Sequence, residues 1–541
     1  MKKFYAILCA LMLLVTSACS TQPDNSQTDG PKEELTVAIG GQITTLDPGL
    51  TQETVNNYII RHLSAGLFRT DDESHIINDL AEDYTVSEDG LTYTFTLRDN
   101  AKWSDGVPVK SSDFSYGILR NLTYGADNSW AIYFPLTYLK GAEAIVADED
   151  FDPTSDSIEG IETPDDQTLI MNLTKPCAWF PQMLTNYVWH PLRPDVASHH
   201  ESLWSLQPGY PTTGPYTLQE CNENEKAVVV KNDQYYDAAN VTLPKIEFLV
   251  MADTDAQSLA FQNEEIDIAM NINATIADTF DDQDAVWKIS QPSNYFVALN
   301  SGETGPDYLK NVDVRRALAI SIDKNSLVNT IGSEEYYKIL HGYVPFGFAG
   351  AEGDYRTEQD AKEKYLEYDP EEAEALLAKA GYTESNPLKI VYKYSQSQLH
   401  ADVAQILQQM WAAVGIDCEL QVVESGVFYN QVDNGDFETS RYGYSAGDDP
   451  SQFLSLWTKN QQIVAAVDDA KFDDMIDKAG YLVDHAAYMN ALHDAERYLI
   501  EEQVYLIPLF NYNTPGLKKT NIQNVEMWGL TPYYGKVTFA A

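Results

Sequence analysis

Residues 81–118 read AEDYTVSEDGLTYTFTLRDNAKWSDGVPVKSSDFSYGI. Inside this block LTYTFTLR (91–98) alternates strictly and is rich in β-branched and aromatic side chains, the pattern of a half-buried strand. Asp105-Gly106 then supplies a turn, and Ser111 or Ser112 is placed to cap a helix beginning near Asp113. Similar strand–turn–helix units recur along the chain, so the expected class is α/β or α+β with mixed sheets.

Upstream, LTVAIGGQITTLDPG (35–49) reads as a strand, a Gly40-Gly41 turn and an extended segment closed by Asp47-Pro48-Gly49. The spacing GxGxxG is missing, which argues against a dinucleotide loop. Downstream, YDPEEAEALLAKAGY predicts a helix with Asp369 as N-cap, Pro370 at its first position and Glu372 at its third. Its apolar stripe is Ala373, Leu376, Leu377 and Ala380, and Gly381 is the stop. HADVAQILQQMWAAVGI repeats the logic: Val403, Ile406, Leu407, Met410, Trp411 and Val414 share a face and Gly415 closes it. IDCELQVV follows as a strand, and no repeat at a solenoid period is present.

At 541 residues the chain has room for several domains and a large core. An apolar fraction of 44% with 34 Tyr and 19 Phe argues for a folded protein. The formal charge of −47 repels nucleic acid and anionic lipid. It is first a solvating surface and second a field that attracts cationic or zwitterionic solutes.

Lys2 and Lys3, an apolar run from Phe4 to Val15, then Thr16-Ser17-Ala18 and Cys19 form a secretory signal too short for a comfortable membrane span. These residues also resemble the lipobox of bacterial lipoproteins, with Thr16 where leucine is usual. That implies lipidation at Cys19 and export to the outer side of the membrane, held there by lipid. The polar stretch 20–34 suits a flexible tether. With Cys9 and Cys19 set aside, Cys177, Cys221 and Cys418 allow at most one disulfide and contain no CxxC.

Common catalytic signatures are scarce: GxxxxGK[ST], HExxH and DxDxDG do not occur. His199-His200 stands in a loop-like stretch without a nearby third ligand, so no metal is expected there, and no cofactor. With 82 acidic residues, carboxylate pairs arise by numbers alone. The expectation is a protein without enzymatic activity.

Several stretches in order resemble solute-binding family 5, the extracytoplasmic oligopeptide- and dipeptide-binding proteins of ABC importers. They are the block 81–118, TTLDPG (44–49), TTGPYTL (212–218), KNDQYYDAANVTLPKIEF (231–248), VDVRRALAISIDK (312–324), YDPEEAEALLAKAGY and WAAVGIDCEL. SQLHADVAQILQQMW and FETSRYGYSAGDDPSQFL are most similar to the oligopeptide-binding branch. The resemblance implies an α/β, periplasmic-binding-protein-like (type II) fold, with two lobes joined by a two-segment hinge and an extra domain inserted in the first lobe. Residues 35–65, 205–298 and 501–541 would make lobe 1, 66–204 the extra domain and 299–500 lobe 2. It further implies capture of oligopeptides between closing lobes and delivery to ABC permease subunits, by a monomer. A non-peptide solute (metal chelate or sugar) or a signalling peptide is the alternative.

In oligopeptide-binding relatives an aspartate after an aromatic hooks the peptide's amine. Here the stretch is Gly443-Tyr444-Ser445-Ala446-Gly447-Asp448-Asp449-Pro450, one residue shorter, and Gly447 stands where the hook falls. Asp449 with Pro450 reads as a helix cap, which leaves Asp448 as amine anchor or as an exposed turn acid. Tyr444 would wall a side-chain pocket, and Ser445, Ala446 and Gly447 would present backbone groups. Gln52, Glu53, Thr54 and Val55 match the family's second peptide-pairing loop. Arg441 and His400 sit where some relatives meet the peptide's carboxylate; from the residues alone they serve equally as a structural cation and a first-turn helix residue. Trp130 and Tyr133 would line the cleft.

Overall fold

The computed structural model describes residues 34–51, 53–71, 75–124, 136–146, 148, 150–177, 179–197, 203–280, 282–332, 334–445, 449–459, 464, 466–528 and 531–540. Cys19, Gln52, Trp130, Tyr133, His199, His200, Ala446, Gly447 and Asp448 lie outside the described residues.

One eleven-stranded mixed sheet organises the chain from Glu34 onward. Its strands in chain order are β1 (Glu34–Ile39), β2 (Tyr216–Asn222), β3 (Lys226–Lys231), β4 (Lys245–Val250) and β5 (Ile268–Ala269). They continue with β6 (Val286–Leu299), β7 (Tyr337–Ile339), β8 (Leu388–Ser395), β9 (Ile416–Val423), β10 (Thr439–Ser445) and β11 (Leu506–Lys518). The spatial order is β9-β8-β10-β6-β11-β5-β1-β4-β3-β2, with β7 attached to β11. The long antiparallel pair β6–β11 therefore joins a group of strands from residues 34–269 to a group from 388–445. Tyr295, Phe296, Val297, Ala298 and Leu299 in β6 have no exposed surface, nor do Leu506, Ile507, Leu509 and Phe510 in β11. Such unbroken apolar runs belong to strands covered on both faces.

The helices that matter below are α1 (Thr54–Leu63), α2 (Ser111–Thr123), α3 (Pro370–Lys379), α4 (Gln398–Ala413), α5 (Ser425–Asp433), α6 (Pro450–Ser455) and α7 (His485–Arg497). Local signals place most of them. Asp369 accepts the Glu372 N–H at 3.0 Å at the head of α3. Gly381 and Gly415, with φ of 93° and 81°, end α3 and α4 in the left-handed conformation that glycine tolerates. Of the expected face of α4, Val403, Leu407 and Trp411 are fully buried, while Ile406 and Met410 are half-buried.

The block 81–118 behaves as its pattern predicts, with one shift. Thr92–Leu97 is a strand of a separate four-stranded antiparallel sheet, with Tyr93, Phe95 and Leu97 buried. The following helix starts at Ser111, earlier than expected. Asp113 supplies the closure instead, accepting the Lys110 N–H at 3.0 Å and the Trp103 Nε1–H at 2.9 Å. The Ser111 hydroxyl turns away to the Asp165 carbonyl.

Asp47 shows why its segment is so constrained. Arg120 of α2 donates to its carboxylate at 2.7 Å, both side chains having no exposure. The Gly49 N–H and the Trp204 indole N–H complete the set at 3.0 and 3.2 Å. A Cβ on Gly49 would meet Asn121 Oδ1 at 2.0 Å, so only glycine fits. Breaking a buried pair leaves one charge uncompensated. Asp47→Ala should therefore lower stability by about 3–5 kcal/mol, read as a fall in the urea midpoint.

Candidate functional site

β8, α4 and β9 form a parallel β–α–β unit, with Leu388↔Ile416 through Ser395↔Val423 in register. The chain then passes through α5 and returns as β10 on the other side of β8, again parallel. Strand order thus reverses at β8, and it is beyond the carboxyl ends of strands at such a reversal that open α/β sheets hold ligands.

Two features lie at this end of the strands. The first is a free strand edge. β8 pairs with β10 only through Tyr392↔Thr439 and Lys393↔Ser440, stays with β9 as far as Ser395, and then passes to α4. From Arg441 to Ser445, β10 is paired on its β6 side only, among the described residues. The second is a set of donors. α4 begins after Ser397, which makes no side-chain cap, and its first turn contains no acid, so its leading N–H groups and positive dipole end are open to an anion. His400 is the third residue of this helix.

Arg441 lies beside it, 6% exposed. One Nη2 donates to His400 Nε2 at 2.8 Å and to Tyr429 Oη at 3.2 Å. The guanidinium carbon lies 5.3 Å from the ring centre of Phe428, 5.6 Å from Tyr429 and 5.8 Å from Tyr295. Among the described residues no carboxylate pairs with Arg441, and its buried Nε–H has no partner. Because Arg441 donates to Nε2, the proton of a neutral His400 sits on Nδ1, and that buried atom is also without a partner. Burial, then the Arg441 charge, brings the His400 pKa down to about 4, so the ring is neutral at pH 7. The site is thus a caged cation with two unsatisfied N–H donors beside a helix N-terminus. Such an arrangement suits a carboxylate.

Of the other expected residues, Tyr444 donates its N–H to Asn294 Oδ1 at 3.0 Å and sets its ring edge-on against Phe453, centroids 5.2 Å apart. It is half-buried, so one side of the ring remains available. Ser445 is exposed at the strand's end, opposite Ser293. Glu53 has extended backbone, but Thr54 and Val55 already form the first turn of α1. Those two positions offer helix-start N–H groups instead of a strand edge. Sequence reasoning missed Tyr295, Phe428, Tyr429 and Asn294. Each reads as ordinary core or helix, and their convergence on Arg441 and Tyr444 is purely tertiary.

Asp449 does cap α6, accepting the Ser451 N–H at 2.8 Å, and it also accepts the Tyr488 hydroxyl at 2.7 Å. Burial raises its pKa above the ordinary 3.8 despite these bonds. The stability contributed by its protonated form is complete below about pH 3.8 and is lost as pH rises through the higher folded value. Asp449→Asn keeps an acceptor without that cost, so it should leave stability at pH 7 unchanged or higher and flatten the loss above pH 4. Asp449→Ala should lose about 1–2 kcal/mol with the cap. Chemical denaturation at pH 4 and pH 7 reads both.

A cavity of about 280 Å³ lies beside α6, walled by Tyr138, Lys175, Trp179, Gln452, Asp477 and Tyr488 among others. Cys177, Cys221 and Cys418 are unpaired.

Comparison with known proteins gives a consistent picture. The profile of bacterial extracellular solute-binding proteins, family 5 Middle, matches residues 75–464. The oligopeptide-binding protein OppA of Bacillus subtilis (strain 168) is 27% identical, with 99% of each chain covered. The periplasmic murein peptide-binding protein MppA of Escherichia coli (strain K12) is 28% identical over 97% of this chain and 98% of its own. Two solved structures of MppA superpose unequally at 27% identity. The unliganded open form gives a TM-score of 0.81, covering 94% of this chain and 98% of that one. The other gives 0.70, covering 94% and 99%. The chain thus superposes better on the unliganded open form of MppA than on the other structure.

Proposed function

This chain belongs to family 5 of the bacterial extracellular solute-binding proteins, with their type II periplasmic-binding fold, and from that premise we propose that it captures short peptides for an ABC importer. The observation that carries the reading is Arg441: a guanidinium 6% exposed, caged by aromatic rings, with an unpartnered Nε–H. An uncompensated buried cation is costly to fold, and a ligand carboxylate at this place supplies the missing partner. The free edge of β10 supports the rest, since a strand edge binds an extended peptide through its backbone without reading side chains.

In this reading residues 35–65, 205–298 and 501–541 form one lobe, 299–500 the other and 66–204 the extra domain, and the two lobes close over the ligand. Asp448 holds the peptide's amine. Lipidation of Cys19 keeps the mature protein on the outer face of the membrane, where as a monomer it delivers peptide to the permease subunits.

Calorimetry with di- to hexapeptides, against free amino acids, sugars and chelated Ni²⁺, tests the ligand class. Binding of a non-peptide class with no peptide bound would overturn it. Asp448→Asn should weaken binding of free-amine peptides by about 1.5–3 kcal/mol, the size of a charge-assisted hydrogen bond. Unchanged affinity would remove Asp448 from the site.

A further inference from the structure

β6 and β10 meet where a side chain takes the place of a ladder bond. Asn294 stands opposite Tyr444, and the Tyr444 N–H donates to its Oδ1 at 3.0 Å. Its Nδ2 donates to the Tyr343 carbonyl at 2.7 Å. One acceptor and one donor on opposite ends fix which way the amide faces. Asn294 is 1% exposed, and a Cβ on Gly443 would stand 2.7 Å from its carbonyl oxygen, so the two strands approach unusually closely here.

The Tyr343 side is equally held. The Tyr343 and Val344 N–H groups donate to Glu496 Oε1 at 2.7 and 2.8 Å. On the strand itself, the ladder with β11 skips from Ser290 to Asn294, and Asn511, opposite Asn294, donates to the Gln291 carbonyl at 2.7 Å. Asn294 thus ties together the crossing strands, the turn at Tyr343 and the free-edged strand.

Main-chain groups of successive strand residues point to opposite edges. With Tyr444 turned toward β6, the groups of Arg441, Gly443 and Ser445 face the open edge. We propose that Asn294 is a positioning residue for the ligand: it holds the Tyr444 N–H inward and so presents Gly443 and Ser445 to the peptide backbone. This rests on the peptide reading above.

The test uses the full mature chain, trialanine, and trialanine N-methylated at its middle residue, which cannot donate there. Against the unaltered protein, methylation should cost about tenfold in affinity, one hydrogen bond. In Asn294→Leu, trialanine should bind about tenfold more weakly and methylation should then cost less than about threefold. A role confined to folding weakens both peptides equally and keeps the tenfold ratio, which would overturn the proposal. Asn294→Asp retains the acceptor for Tyr444 and should retain the ratio; its collapse there also counts against the proposal. If Asn294→Leu does not fold, Asn294→Ala is read by the same ratio. Failure of the unaltered protein to bind any peptide sinks the peptide reading itself, and shows in the first arm.

Discussion

Arg441→Met should weaken peptide binding by about 2–5 kcal/mol, the range for losing one partner of a desolvated charge pair, or from about thirtyfold to several-thousandfold in Kd. The ligand-free protein should melt no lower, which scanning calorimetry reads directly. The reason is the same in both measurements. Methionine fills the cage of Tyr295, Phe428 and Tyr429 with apolar atoms and removes a guanidinium that no carboxylate balances among the described residues. A fold that retains such a group at a cost uses it elsewhere. Arg441→Lys keeps the charge but loses the planar fork that donates to His400 and Tyr429, and should recover only part of the affinity. A peptide amidated at its C-terminus should bind the unaltered protein as poorly as a free acid binds Arg441→Met. Equal binding of acid and amide would take Arg441 out of the ligand site.

A stability effect as large as that of Asp47 should come from Glu496. Its carboxylate has no exposed surface, accepts two N–H bonds from Arg356 at 2.8 and 2.9 Å and two more from Tyr343 and Val344. Arg356, equally buried, also bonds Asp360 at 2.8 Å. Glu496→Ala strands Arg356 and frees two backbone donors at once, for a loss of about 3–5 kcal/mol. A lowered urea midpoint checks it. Glu496→Gln keeps an acceptor but not the charge and should fall between. Because the carboxylate orders the Tyr343 turn on which Asn294 rests, peptide affinity should drop in Glu496→Ala even under conditions where the protein remains folded. A variant with unchanged urea midpoint would show the network to be redundant.

What could be read from the residues in advance followed distance along the chain. Asp369 and Asp449 are caps whose partners lie within three residues, so pattern alone placed α3 and α6. The face of α4 and the strand after it were legible for the same reason. At α2 the reading slipped, because Ser111 found the Asp165 carbonyl more than fifty positions away and Asp113 took over the start of the helix. Arg441 and His400 could be nominated through resemblance; their hydrogen bond, the orphaned Nε–H and the three rings around them could not. Nothing near Asn294 in the sequence announces Tyr444, 150 positions on. Local chemistry writes caps, turns and faces, whereas strand order and side-chain convergence depend on which distant segments become neighbours.

The placement of β11 bears on the order in which the molecule can be made. β11 covers one edge of β5 and one edge of β6, so it bridges two sets of strands through two strands that precede it by more than two hundred residues. A growing chain emerges from its N-terminus, and until residue 518 has been added both of those edges stand open. The two sets therefore cannot be joined into one sheet during most of synthesis, and the final seam closes only when nearly all of the chain is available. Closing contacts of such long range is slow, which makes the joining of the two sets a late step of folding.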